Sequence, residues 1–130
     1  MRFLSIYKHV ETNTPPSREH MEKMGKLVED AMKAGWLLAT EGCLPSAMGA
    51  RVRRAGDNTT VAAGPFADAK EVTGGFAILQ AKSKEEAIEL TKGFLALAGD
   101  GECELRQLYT PGDEMTGCSL TEQADQYATA

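Results

Sequence analysis

Two stretches of this chain carry apolar residues at helical spacing, and each is bracketed by runs of strand character. In residues 17–34, Met21, Met24, Leu27, Val28, Ala31 and Met32 recur along one face, with Glu22, Lys23, Lys26, Glu29 and Lys33 on the other. Thr14-Pro15-Pro16-Ser17 opens this helix, because proline suits a first helical turn and Ser17 or Thr14 can cap it. Gly35 follows the last periodic residue and stops it. In residues 83–98, Ser83 and Glu86 form a capping box ahead of Ala87, Ile88, Leu90, Thr91, Phe94, Leu95 and Ala98. Gly99-Asp100-Gly101 ends the second helix.

Strand signals fall on both sides of each helix. Residues 2–10 are rich in Phe, Ile, Tyr and Val, and residues 36–41 are Trp-Leu-Leu-Ala-Thr-Glu. Residues 75–81 are apolar at nearly every position, as suits a central strand covered on both faces. Residues 102–109 alternate, with Cys103 and Leu105 opposed to Glu104 and Arg106. Two shorter runs, 49–54 and 59–63, flank Gly56-Asp57-Asn58 and predict an inserted hairpin with a longer loop. Two β-α-β halves in tandem make the α+β, ferredoxin-like βαββαβ plan, with both helices on one face of an antiparallel sheet.

That plan leaves one sheet face to be covered. Alternation in the first strand separates Leu4 and Ile6 from Phe3, Ser5, Tyr7 and His9. The reading assigns Phe3, Tyr7 and Cys103 to the face away from the helices, where they are too apolar to leave wet. A second copy of the chain, closing sheet on sheet, covers that face most economically. The expected partner is therefore the chain itself, with Tyr7 and His9 lining a cavity at the subunit interface.

Charge and cysteine usage exclude other classes. The 14 Lys and Arg against 19 Asp and Glu give a net charge of −5, whereas a phosphate-backbone binder needs a basic stripe, so no nucleic-acid partner is expected. Cys43, Cys103 and Cys118 are odd in number and unpaired by spacing, so neither a disulfide framework nor a zinc site is expected. No segment has the length and apolarity of a membrane span, and residues 1–9 lack the apolar run of a signal peptide, so a cytoplasmic protein is expected. Phosphate-binding glycine loops and nucleophile elbows are missing, and no cofactor or metal is expected. Residues 110–130 have few large apolar side chains. They are expected to form a tail that packs on its own domain or on the partner.

One segment reads as a signature: Gly64-Pro65-Phe66-Ala67-Asp68-Ala69-Lys70-Glu71, followed by Gly74-Gly75-Phe76. Here the sequence resembles the DGPF branch of the YCII-related family, whose motif runs D-G-P-F-A-E-x-K-E before a G-G-F strand. Tyr7, the Glu41-Gly42 to Pro45-Ser46 loop and the 101–106 strand resemble it too, so that the likeness spans residues 1–109. The resemblance implies a dimeric α+β barrel of two ferredoxin-like subunits. Ala63 stands where the family motif has Asp.

Candidate site residues follow from both readings. Asp68, Lys70 and Glu71 are placed at a cavity rim, where burial would shift carboxylate pKa values. Structural roles compete with this: Phe66 can anchor the loop, and the charges can sit in solvent. His20, in Arg18-Glu19-His20, resembles a family helix histidine suspected of working with an aspartate, although no aspartate stands at the matching distance. His9 and Tyr7 share a face, and a polar group in an apolar pocket is the usual form of a ligand site. Candidate catalytic residues are thus His20, His9, Asp68 and Glu71; candidate ligand-binding residues are Tyr7, Phe66, Lys70 and Glu41. Two functions fit them. One is a ligand-binding or regulatory homodimer with a small-molecule ligand. The other is a cofactor-independent lyase-like or isomerase-like enzyme using a His–carboxylate pair on a small aromatic or polar metabolite.

Overall fold

A computed structural model describes residues 1–12 and 14–110; the expected tail from 111 onward, with Cys118, lies outside the described residues. The chain runs β1 (Arg2–His9), α1 (Arg18–Ala34), β2 (Leu37–Gly42), β3 (Ala50–Ala55), β4 (Asn58–Ala63), β5 (Val72–Gln80), α2 (Lys84–Ala98) and β6 (Glu102–Gln107), with a short 3-10 turn at Ser46–Met48. The helix ends follow the capping chemistry. Ser17 Oγ accepts from the His20 N–H at 3.1 Å, and Gly35 closes α1 in the left-handed conformation at φ 86°. Ser83 Oγ accepts from the Glu86 N–H in the same way.

β2, β5, β1 and β6 form one sheet in that order, antiparallel throughout, which is the ferredoxin-like arrangement. β3 and β4 form a separate ribbon. Its turn is tighter than the sequence suggests: Ala55 pairs with Asn58, leaving only Gly56 and Asp57 between the strands. Gly56 takes the positive φ, 61°, that a two-residue hairpin asks of its first central residue.

The core sits between sheet and helices, and it corrects the expected orientation of β1. Phe3 is 2% exposed and packs with Ala31 of α1, Ala87 of α2, and Leu37, Leu79 and Ala81. Ser5 and Tyr7 lie on that same helix-covered face, paired across β6 with Leu105 and Cys103. The open face instead carries Leu4 and Ile6, opposite Ile78 and Phe76 of β5. Alternation divides a strand into two faces but does not say which one meets the helices. With apolar residues on both faces of β1, the assignment came out inverted. The open face keeps polar edges, since Lys8 pairs with Glu104 at 3.1 Å and lowers the carboxyl's pKa through hydrogen bond and charge.

Candidate functional site

β1 reaches the site through a bulge. Tyr7 pairs with Gly75 and Lys8 with Thr73, so Gly74 is the extra residue. Bulges re-aim neighbouring side chains. Here the extra residue has no side chain, and the His9 imidazole takes the space: a Cβ on Gly74 would lie 2.7 Å from His9 Nε2. The His9 ring stacks on Tyr7 at 5.3 Å between centroids, and Tyr7 meets Phe94 of α2 edge-on at 5.5 Å. Tyr7 also donates its hydroxyl to the Asp100 carbonyl at 3.0 Å. Gly101 leaves room for that ring, because a Cβ there would come within 2.6 Å of Tyr7 Cε1. Burial raises the Tyr7 phenol above its ordinary 10.0, with Cys103, Asp100 and Glu71 adding to the effect.

These groups open on a cavity of about 850 Å³ between the sheet and the two helices. His20, in the first turn of α1, opens on it as well, and so does Glu41 at the exposed end of β2. Met21, Met24, Leu27 and Val28 of α1 face Leu90 and Phe94 of α2 across it, with Trp36 on the same lining. Such a mixture, mainly apolar walls with a few polar groups, is the usual composition of a small-molecule site. The cavity is therefore lined by residues of one chain, and Tyr7 and His9 reach it from the helix-covered face of the sheet rather than from the open face.

Four of the eight candidate residues thus share one cavity: Tyr7, His9, His20 and Glu41. Asp68, Phe66, Lys70 and Glu71 do not line it. Asp68 pairs with Arg51 of β3 at 3.0 Å, and that guanidinium lies 4.1 Å above the Phe66 ring. The Arg51 hydrogen bond holds the Asp68 carboxyl below its ordinary range. Phe66 N–H donates to Ser46 Oγ, and the Ser46 N–H donates to the Glu11 carboxylate. A Cβ on Gly64 would run into the Ser46 carbonyl. The signature segment therefore fastens the hairpin base to the Ser46–Met48 turn. Glu71 comes near enough to act on Tyr7 through its charge, and Lys70 is exposed.

Neither histidine makes an ion pair with a carboxylate among the described residues, and no cluster of three or more His, Cys, Asp or Glu there is arranged to hold a metal ion. Burial raises the Cys103 thiol, which suits a packed residue rather than a nucleophile. Sequence reasoning missed the apolar walls, reading Met21 and Met24 only as part of the apolar face of the first helix. It also missed Thr12, Thr14 and Thr40 on the lining. The signal for the bulge was the Gly74-Gly75 pair at the edge of the expected 75–81 strand, since glycine in a strand marks close approach.

No helix among the described residues is long and apolar enough to cross a membrane. A family model described as a YCII-related domain matches residues 1–109. No curated protein matches the chain.

Proposed function

The chain belongs to the YCII-related domain family, and we propose that it acts as a small-molecule-binding or regulatory homodimer. The observation that carries this is a single apolar-walled cavity on which Tyr7, His9 and His20 converge from β1 and α1. Support for the dimer comes from the open sheet face, where Leu4, Ile6, Phe76 and Ile78 form an apolar block across the two central strands. A contiguous block of this kind on a sheet is what a partner surface requires. The ligand site then lies on the helix side of each sheet and the partner on the other side.

Thermal unfolding against a panel of small aromatic and polar metabolites tests the binding role. A ligand in large excess over its Kd adds about 3 kcal/mol, several degrees for a domain of this size. The shift is expected to shrink in His9→Ala and His20→Ala. Stabilisation by no compound, or stabilisation unaffected by either substitution, overturns the cavity as the binding site.

A second reading, cofactor-independent lyase or isomerase chemistry, is favoured by the presence of both imidazoles and the Glu41 carboxylate on one cavity. Proton transfer of that kind needs an imidazole paired with or poised beside a carboxylate. Turnover abolished by His20→Ala or by Glu41→Gln, with ligand binding retained, would establish it over simple binding.

A further inference from the structure

The polar groups on the cavity can be accounted for one by one, and the account restricts what they can hold. Tyr7, Thr40 and Thr91 have each given their hydroxyl proton to a backbone carbonyl, of Asp100, Phe76 and Ala87 respectively. Ser17 Oγ is taken by the α1 cap, and Ser5 is engaged with Cys103. What remains free to donate is the ring nitrogens of His9 and His20, which make no hydrogen bond among the described residues, with the hydroxyls of Thr12 and Thr14. The engaged hydroxyl oxygens of Tyr7, Thr40 and Thr91 can only accept. A neutral imidazole offers one donor and one acceptor, and a hydroxyl offers both.

Charge points the same way. Among the described residues no Lys or Arg lines the cavity, and Glu41, exposed at the end of β2, is its one carboxylate. A ligand anion would exchange water for apolar walls with no cation to meet it, next to a carboxylate that repels it. The one opposite charge a ligand ammonium could meet among the described lining residues is Glu41 at the rim, away from the methionine and aromatic walls. Moving a charge into such surroundings without a partner is costly.

We propose that the cavity is selective for uncharged ligands: an aromatic or aliphatic body against the walls between α1 and α2, and a hydroxyl or amide head that both donates to and accepts from His9 and His20. This rests on the cavity being the binding site, as argued above, and adds the chemical class of the ligand.

A matched series separates the two claims. 4-Phenylbutan-1-ol, 4-phenylbutanoate and 4-phenylbutan-1-amine share a skeleton and differ in the charge of the head. Their Kd values are read from the fluorescence of Trp36, the chain's single tryptophan, which lines the cavity. At pH 8, where free imidazole is neutral, the alcohol is expected to bind at least about tenfold more tightly than either ion. His9→Leu and His20→Leu are each expected to weaken binding of the alcohol severalfold, because its hydroxyl loses a donor or acceptor, while the ions stay disfavoured. The carboxylate or the amine binding as tightly as the alcohol overturns the charge selectivity while leaving the cavity as the site. An unchanged Kd for the alcohol in both variants overturns the role given to the histidines. Binding by none of the three overturns both the selectivity and the cavity reading.

Discussion

Gly74 and Gly75 adjoin in β5, yet one added methyl should act on them differently. At Gly75 the new Cβ would lie 2.8 Å from the Glu41 backbone carbonyl, which the β2–β5 ladder fixes in place. At Gly74 it would meet the His9 imidazole, a side chain that can swing aside. Gly75→Ala is therefore expected to cost about 1–3 kcal/mol in urea unfolding, the usual price of overpacking. Gly74→Ala should cost less stability but displace His9 and weaken ligand binding. Equal destabilisation with unchanged binding would contradict this geometry. The doublet was visible in the sequence, but its neighbours were not, because they come from strands far away in the chain.

Tyr7 and Cys103 make the residue scale pH-dependent. Both groups are held protonated by the fold, chiefly through burial, so their folded pKa values stand above the unfolded ones. Stability from this source is complete below the unfolded values and is lost as pH rises through the folded ones. Wild type should thus lose stability more steeply than Tyr7→Phe above pH 10, measured by urea midpoints; parallel curves would contradict the assignment. Cys103 should also alkylate more slowly than exposed Cys43 at pH 8, followed by mass spectrometry.

At the scale of elements, what local chemistry decides was legible and what long-range packing decides was not. Ser17, Gly35 and Ser83 mark helix ends because capping acts over three or four residues. Their signals are complete within one segment, and Ser17→Ala is expected to cost about 1 kcal/mol by thermal unfolding. The orientation of β1 is different. Polar Ser5 is buried at 7% exposure on the helix side, while Leu4 and Ile6 lie on the open side. Hydrophobicity along β1 cannot rank its faces when the open face is itself apolar. Phe3→Ala, on the helix side, is expected to cost about 3–5 kcal/mol, whereas Leu4→Ala should cost markedly less in the monomer. The signature segment was similarly ambiguous, because Asp68 and Lys70 are equally at home at a site or on a surface. Arg51, distant in sequence, is what decides that Asp68 serves the hairpin base.

For the whole molecule, the fold divides its labour between the two faces of one sheet. The helix side holds the core at the Phe3 end of β1 and the cavity toward the His9 end. The other side presents an apolar block bordered by Lys8, Glu104 and Arg106. Sedimentation equilibrium is expected to give the mass of two chains for the wild type and of one for Ile6→Glu with Ile78→Lys, with helical circular dichroism unchanged. A monomeric wild type would contradict the covered-face account and leave the cavity standing.

The cavity itself is tested most directly by the imidazole resonances. The chain has only two histidines, so each ring can be assigned unambiguously in a nitrogen–proton spectrum. Titration with 4-phenylbutan-1-ol is expected to move the signals of both His9 and His20 along one saturating curve, with a shared Kd. Saturable binding that leaves both histidines unmoved would place the ligand elsewhere and contradict the account.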